Sequence, residues 1–526
     1  MVLHSLAQLE PKLHFLLPSR FYSALGNDSP DADTLMGIFE HLRTLHASLK
    51  DYLPLQIATN PPEAGKIRYA WHQGTLLFTD LAGFTPLMEA NMGDRSLGAE
   101  ILLSILQRYF EAIIEIIGKS GGDLLEFTGD AVLVEFSRDR AQTDLPRAIR
   151  AGLRMQRAME EFENIETPRG CLSLKMRVGI HSGKFLAADI GTPLRMMRVL
   201  LGKDVQIAKQ TEGAGRVGRV CLSAAATMRA RSQFRLEAGR HPRHLVIDDL
   251  SDETLGEYDL AIKQRRRMRA LLFDRGIEGI TQEIENLLQQ IEPLARYVPE
   301  PVLALLVENT ERRSIPPAFL VPTVMFVNLL GLSDAADRLR DSEAEDFVTG
   351  CSHLFSRIDA IVTDAGGVMR NPTYHLDSSD IVIYFGVLDA RSDCSLRAIR
   401  AACQIRELIV NFQPFSVNRQ TVRIACQIGI SLGRVFAAEI GASRGRREFN
   451  ILSDTVNIAS RLMSRAIINQ ILFDEPVYQA LLSLASSSIE SFQYQFLGNV
   501  SLKGKAKLTR IYTVLEKEAR SSESSF

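Results

Sequence analysis

The chain has 526 residues, of which 46% are hydrophobic and 24% are charged, and its formal net charge is −2. This composition predicts a soluble globular protein with material for two or three cores, and the balanced charge excludes a chain-wide attraction to nucleic acid or to anionic membranes. No apolar run reaches the ~18 residues of a membrane span, and the first residues lack a signal-peptide pattern. Six scattered cysteines without a CxxC pair indicate packing roles in a reducing compartment, so we expect a cytoplasmic location.

The first pattern that carries information follows residues 1–70, which we expect to form a helical cap. The stretch TLLFTDLAGFT, which starts at residue 75, predicts an apolar strand that ends at Asp80 and enters a glycine turn. An amphipathic helix is predicted next, over LGAEILLSILQRYFEAIIEIIGK. The glycine pair Gly121–Gly122 then opens a predicted hairpin, with Gly129–Asp130 as its tight turn.

The same patterns return in the second half of the chain. TVMFVNLLGLS, which starts at residue 323, repeats TLLFTDLAGFT, and IGISLGRVFAAEIG (428–441) repeats VGIHSGKFLAADIG (178–191). We therefore predict two copies of one α+β domain, each with helices packed on a mostly antiparallel sheet. The predicted division is a helical cap at 1–70, a first domain at 71–250, a helical linker at 251–318, a second domain at 319–516 and a disordered tail at 517–526.

Two aspartates of the first copy are candidates for a metal site. Asp80 ends one predicted strand, and Asp130 stands at a hairpin turn beside it. Two carboxylates at neighbouring strand ends form a hard-oxygen site that suits Mg²⁺ or Mn²⁺ bound together with a phosphate chain. Taken singly, each aspartate favours a structural interpretation, in which Asp130 is only a turn former and Asp80 only a strand terminator.

Five segments in combination resemble the class III nucleotide cyclases, the adenylate and guanylate cyclase homology domain. They are FTDLAGFT, GGDLLEFTGDA, MRVGIHSGK, FNILSDTVNIASRL and SLKGKAKLTRIYTV. The tandem arrangement looks most like soluble adenylyl cyclases. The resemblance implies two ferredoxin-like (palm) domains that form an intramolecular head-to-tail pseudo-heterodimer within one chain, with an active site at their interface.

The two copies differ in which half of such a site they keep. The second copy has Asn328 where the first has Asp80, and Ser379 where the first has Asp130. Conversely, only the second copy has VNIASR, in which Asn457 and Arg461 lie on one helix face. Since the losses are complementary, the resemblance implies one complete site and one degenerate site, where an unknown regulator remains an open option.

The resemblance also implies roles for single residues. Asp80 and Asp130, with the Leu81 carbonyl, would bind two Mg²⁺ or Mn²⁺ ions. Arg461 would stabilise the transition-state phosphate, and Asn457 would orient the ribose of ATP. The triphosphate would be held by a basic set: Lys503, Lys505 and Arg177.

The base-reading positions depart from the family pattern. Adenylate cyclases have a lysine five residues after the first glycine of the pair, and the second copy has Asn371 there, next to Arg370 and before Pro372. The second reading position, usually aspartate or threonine, falls on Asn450, whose amide can both accept and donate. Strand neighbours face opposite ways, so we expect Arg370 to replace Asn371 only where the strand is irregular.

Three functions remain open from the sequence. They are an adenylate cyclase that converts ATP to 3′,5′-cyclic AMP and pyrophosphate, a nucleotide-binding pseudocyclase with a regulatory role, and a guanylate or mixed-specificity cyclase. In bicarbonate-regulated relatives a lysine stands at the position of Glu126, and a carboxylate there should repel that anion.

Overall fold

The computed structural model describes residues 13–21, 31–91, 97–167, 170–256, 276–374, 379–389, 391–443, 445–484, 492–502 and 508–515. Two sheets covered by helices follow one another along the chain, and we call them the first domain (68–246) and the second domain (318–515). The predicted α+β class with two tandem domains is confirmed. Among the described helices, none combines the length and the apolarity needed to cross a membrane.

The described residues before the first domain form helices, and the domain then follows the predicted order of strand, helix, hairpin, helix and strand. Its central strand is buried on both faces from residue 74 to residue 79, which explains its unbroken apolar run. The elements are α1 (Ala32–Tyr52), α2 (Leu55–Thr59), β1 (Arg68–Ala82), α3 (Phe84–Asn91), α4 (Leu97–Lys119), β2 (Asp123–Thr128), β3 (Ala131–Ser137), α5 (Asp144–Ala158), a 3₁₀ turn (Met159–Phe162), β4 (Ile165–Thr167), β5 (Gly170–Leu172), β6 (Lys175–Gly191), β7 (Met196–Leu201), α6 (Lys203–Gly213), β8 (Val220–Leu222), α7 (Ala224–Ala230), β9 (Leu236–Ala238) and β10 (His244–Val246).

The described residues between the domains form helices, and the second domain repeats the order of the first. The elements are α8 (Asp252–Leu255), α9 (Ile277–Ala295), α10 (Glu300–Glu308), β11 (Ala318–Leu320), β12 (Thr323–Leu330), α11 (Leu332–Asp337), a 3₁₀ turn (Asp341–Glu343), α12 (Ala344–Asp364), β13 (Gly367–Met369), β14 (Thr373–Tyr374), β15 (Ser379–Phe385), α13 (Cys394–Val410), β16 (Phe415–Val417), β17 (Gln420–Val422), β18 (Ala425–Leu432), β19 (Val435–Gly441), β20 (Arg447–Leu452), α14 (Asp454–Arg465), β21 (Gln470–Asp474), α15 (Glu475–Ser483), β22 (Gln493–Val500) and β23 (Thr509–Leu515).

The two main sheets have matching topology. The first has the order β2-β3-β1-β6-β8-β10-β9, with β7 paired to β6, and the second has the order β13-β15-β12-β18-β21-β23-β22. Strands β1 and β12 each lie between two antiparallel neighbours, and the pairs β6/β8 and β18/β21 are parallel. In the second domain β19 and β20 form a separate small sheet with β11, whereas β6 of the first domain runs without a break.

The domains exchange one hairpin each, and this exchange joins them. The end of β6 and all of β7 place apolar side chains in the core of the second domain (Leu186, Ala188, Ile190, Met197, Val199 and Leu201). In the same way, β19 and β20 place apolar side chains in the core of the first domain (Phe436, Ala438, Ile440 and Leu452). Because each core is completed by the other domain, burial of apolar surface fixes their relative position.

The N-terminal helices contact both domains. The Tyr52 hydroxyl at the end of α1 donates to Glu439 Oε2 at 2.6 Å, and Arg447 Nη1 holds the other oxygen of Glu439 at 2.7 Å. Three residues further on, the Leu55 amide donates to Asp123 Oδ1 of β2 at 2.9 Å. Helices α1, α9 and α10 share one apolar cluster with the second domain.

Candidate active site between the two domains

The two candidate metal ligands lie together in the first domain. Asp80 stands near the end of β1, and Asp130 follows Gly129, whose φ of +74° allows the predicted tight turn between β2 and β3. Burial, and then the negative charge of Asp80, raise the pKa of Asp130 to about 7. The effect of Asp80 on Asp130 places the two carboxyl groups in one electrostatic environment, which a divalent cation would stabilise.

Two basic side chains also face these carboxylates. Arg177 lies opposite Asp80 in the register of β6 with β1, and its Nη2 donates to Asp80 Oδ2. Burial opposes the charge on Lys209 of α6, yet the neighbouring Glu212, Asp80 and Asp130 raise its pKa. From the sequence we predicted that Arg177 binds phosphate, and we made no prediction for Lys209 or Glu212. The cationic side chain of Lys209, inside the otherwise neutral segment VQIAKQ, was the signal that could have found this pair.

The residues present fit a divalent metal that is shared with a ligand. Within the described ranges, no group of three or more His, Cys, Asp or Glu side chains is arranged to hold a metal ion. The Leu81 side chain is apolar and buried in the core, so this residue could contribute only its backbone carbonyl as a ligand. Two carboxylates and one carbonyl leave coordination positions for phosphate oxygens and water, as Mg²⁺ sites in phosphoryl chemistry require.

The second domain replaces the ion pair at the equivalent place with an amide pair. Asn328 lies opposite Gln427 in the register of β12 with β18, and Asn328 Nδ2 donates to Gln427 Oε1 at 2.8 Å. The cross-strand hydrogen bond is kept, but neither partner carries a charge. The side chain of Ser379, the other substituted position, lies outside the described residues.

Asn457 and Arg461 lie on α14, which begins after the cap Ser453, whose hydroxyl accepts from the Val456 amide at 3.1 Å. Asn457 is exposed and Arg461 is partly buried. In the described part of the chain, Arg461 Nη1 is buried without a hydrogen-bond partner. A guanidinium donor in this state is available to an anionic ligand. Lys503 and Lys505 lie outside the described residues.

The three base-reading candidates divide into two separate pairings. Arg370 is 8% exposed, and its Nη1 donates to Asn450 Oδ1 at 3.0 Å. Asn371 instead accepts from Arg195 Nη2 of the first domain at 3.1 Å. The Arg370 side chain thus lies with Asn450 although no bulge precedes it in β13, so the expectation that an irregular strand would be needed is wrong.

A difference in strand geometry explains this pairing. Strand β2 has a bulge between Leu124 and Glu126, so Glu126 pairs with Leu133 of β3. In the second domain no such bulge precedes Arg370, whose amide bonds the Val382 carbonyl at 2.9 Å. Counting residues from the glycine pair therefore matches Glu126 to Asn371, whereas strand pairing matches it to Arg370.

Glu126 lies between the domains. It is partly buried, and its burial raises its pKa well above the usual value against the opposing charges of Arg370 and Arg446. In the described residues Glu126 Oε1 has no hydrogen-bond partner. A carboxyl group in this environment is held towards its neutral form.

Both domains match the model of a known protein family. The family model of the adenylate and guanylate cyclase catalytic domain matches residues 69–242 and 322–516, well over half of the chain. The chain belongs to this family. It is therefore a class III cyclase chain with two catalytic-domain segments in tandem.

Adenylate cyclases are among the curated relatives. Adenylate cyclase type 10 of Oryctolagus cuniculus is 23% identical over 407 residues, which cover 75% of this chain and 24% of that protein. Adenylate cyclase 1 of Rhizobium meliloti is 26% identical over 219 residues, which cover 40% of this chain and 32% of that protein. The chain thus spans about a third or less of the length of these two relatives.

One solved structure matches both domains together. It is a class III adenylyl cyclase-like ATP-binding protein from Pseudomonas aeruginosa, with a TM-score of 0.54, 13% identity, and coverage of 85% of this chain and 93% of that chain. At this identity the likeness concerns the fold alone. It supports the tandem arrangement of the two cyclase domains.

Proposed function

We propose that the chain is an adenylate cyclase that forms 3′,5′-cyclic AMP and pyrophosphate from ATP at a single site between its domains. The observation that carries the proposal is the asymmetric site itself. Asp80 and Asp130 share one charged environment in the first domain, whereas Asn328 and Gln427 form a neutral pair at the equivalent place. The adenylate cyclases among the relatives support ATP as the substrate.

In this reaction the ribose 3′-oxygen bonds to the α-phosphorus, the bond from that phosphorus to the pyrophosphate oxygen breaks, and the 3′-hydroxyl loses its proton. Asp80, Asp130 and the Leu81 carbonyl would hold two Mg²⁺ or Mn²⁺ ions, which supply positive charge to the triphosphate and favour the 3′-oxyanion. Arg177 and Lys209 neutralise the carboxylates before substrate binds. Ligand binding would therefore require Arg177 to exchange an aspartate for a phosphate oxygen.

The second domain would supply the remaining groups. The unpartnered Nη1 of Arg461 would donate to the α-phosphate as its negative charge grows, which is the step where such a donor has most effect. Asn457, exposed one turn earlier on the same helix face, would orient the ribose. Lys503 and Lys505 would hold the terminal phosphates.

The direct test is an assay of the purified chain with ATP or GTP and Mn²⁺, with cyclic nucleotide detected by mass. We expect cyclic AMP as the main product, and Asp80→Ala should abolish it. Cyclic GMP as the main product would support a guanylate cyclase instead. If neither product forms although ATP binds, the adenylate cyclase proposal is wrong.

A second candidate function is a nucleotide-binding pseudocyclase. It is favoured by the contacts of Arg370 and Asn450, because both side chains bond backbone carbonyls of the first domain and so are already engaged. ATP binding measured by calorimetry, together with the absence of cyclic product, would distinguish it from the adenylate cyclase.

A further inference from the structure

Side chains of the second domain hold the edge strand β2 of the first domain by its backbone. Strand β2 is the first in its sheet, so among the described residues one of its edges has no neighbouring strand. Arg446 Nε and Nη2 lie 3.3 and 3.4 Å from the carbonyl oxygens of Leu124 and Leu125. Further along the strand, Arg370 Nη2 donates to the Phe127 carbonyl at 2.6 Å.

The last of these contacts reaches the metal turn. Asn450 Nδ2 lies 3.4 Å from the carbonyl oxygen of Gly129, the residue immediately before Asp130. Leu452 of β20 also packs against this turn, 3.8 Å from where a Cβ of Gly129 would stand. Contacts from one domain therefore follow the strand of the other as far as the candidate metal ligand.

The three donors are themselves held rigidly. Arg370, Arg446 and Asn450 are 8%, 7% and 1% exposed. The Glu448 carboxylate joins the two arginines, with Oε1 2.5 Å from Arg370 Nη2 and Oε2 3.2 Å from Arg446 Nη2. Buried charge-assisted hydrogen bonds of this kind fix geometry, because breaking them leaves a charge without compensation.

The pseudo-symmetric contact is different. Arg195 precedes β7 as Arg446 precedes β20, and it donates to the carbonyls of Met196 and Arg296 and to the side chain of Asn371. It thus meets one side chain of the second domain, whereas Arg446 holds strand backbone. The strand that leads to an aspartate receives the backbone contacts.

We propose that Arg446, Arg370 and Asn450 are positioning residues that fix β2, and with it the Asp130 carboxylate, in the place required for metal binding. Arg370, matched by strand pairing, and Asn450 stand at the positions to which the family resemblance assigns purine recognition. On this inference they serve the metal site in this chain instead. It rests on the proposed function, since it assumes that Asp130 is a metal ligand.

The test measures Mn²⁺ binding to the full chain without turnover. Free Mn²⁺ is followed by electron paramagnetic resonance in the presence of 3′-deoxy-ATP, which lacks the attacking hydroxyl. Arg446→Gln and Asn450→Ala should each weaken Mn²⁺ binding about tenfold, since each loses contacts that place Asp130. Arg446→Lys, which keeps the charge and one donor, should lose less.

Arg447→Gln is the matched control. Arg447 is the next residue and is similarly buried, and its described hydrogen bonds go to Glu439 of β19, to Ser48 of α1 and to the Arg313 carbonyl, not to the backbone of β2. We expect it to lower the melting temperature while Mn²⁺ affinity stays within about twofold. Equal losses of Mn²⁺ affinity in Arg447→Gln and Arg446→Gln would refute a positioning role and leave a general stability effect.

Asp130→Asn separates this inference from the proposed function. If Asp130→Asn leaves Mn²⁺ binding unchanged, the metal assignment is wrong, and with it the proposed function. If Asp130→Asn weakens binding but Arg446→Gln, Arg446→Lys and Asn450→Ala do not, only the positioning role is wrong. A change in the ATP-to-GTP binding ratio of Asn450→Ala without a change in Mn²⁺ affinity would restore the base-reading role.

Discussion

The same cross-strand position carries an ion pair in one domain and an amide pair in the other. Asp80 meets Arg177 between β1 and β6, and Asn328 meets Gln427 between β12 and β18. Both residues of the pair differ between the domains. Replacing only one of them would leave the charge of the other partly buried without a partner, which is destabilising. The comparison teaches that the second domain keeps the cross-strand hydrogen bond without a charged pair at this place.

A second contrast concerns what covers each domain. Helices α1, α9 and α10 pack on the second domain and share its cluster of Val324, Phe326 and Val382. The corresponding side chains of the first domain, Leu76 and Phe78, belong to a smaller cluster without these helices. Within the described residues, this face of the first domain, which also bears Asp80, therefore shares no apolar cluster with α1, α9 and α10.

The largest expected effect tests whether one domain alone supplies the metal ligands. Asp80→Ala should lower turnover by at least ~10², because it removes charge stabilisation of the usual size for an active-site group. Arg461→Ala should do the same from the second domain. Asn328→Ala is the matched control at the neutral pair and should change turnover far less. Equal losses at Asp80 and Asn328, measured as cyclic product per minute, would contradict a single asymmetric site.

The next effect concerns the base-reading positions. Arg370→Ala should lower kcat/KM roughly ten- to hundredfold with both ATP and GTP, because it removes charge-assisted hydrogen bonds across the interface. Asn371→Lys places a second cation beside Arg195 and should change kcat/KM much less. The double variant Asn371→Lys with Asn450→Asp tests the alternative. A strong rise in its ATP-to-GTP ratio of kcat/KM would show that residue counting, and not strand pairing, identifies the residue that recognises the purine.

A smaller effect lies in stability and pH. The pKa of Asp130 is about 7 in the folded chain and near 4 when unfolded, so the folded state binds more protons and loses stability as pH rises from about 4 to 7. Asp130→Asn removes this penalty. Without metal, the variant should melt a few degrees above the parent chain at pH 8, with no such gain at pH 4. A melting temperature at pH 8 that is equal or lower would show that Asp130 is not strained by burial and by Asp80.

The last prediction is that bicarbonate has no effect on the activity of this chain. Glu126 stands where bicarbonate-regulated relatives have a lysine, and the nearby Arg370 and Arg446 are already bonded to Glu448 and to the backbone of β2, so bicarbonate should not raise activity at fixed pH. Glu126→Lys is the informative companion, although it adds a third cation to the same cluster. A dose-dependent stimulation of the parent chain by bicarbonate would overturn this expectation.

Much of the fold and half of the candidate site could be predicted from local patterns. The repeat, the order of strand, helix and hairpin, and the turn at Gly129–Asp130 all depend on neighbouring residues, whose periodicity and turn chemistry are visible in the chain. The exchange of Asp80 for Asn328 is visible in the same way once the repeats are aligned. The roles implied for Asn457, Arg461, Lys503 and Lys505 remain predictions.

What only the tertiary structure decided are contacts between residues far apart in the chain. Arg370 meets the Phe127 carbonyl across 243 positions, and Arg446 meets Leu124 across 322. Sequence counting could not find these pairs, because a bulge in β2 and a longer second hairpin change which residue faces the interface. The sequence by itself determined two domains and their unequal charges, and the docking of the domains determined which side chains reach the strand that carries Asp130.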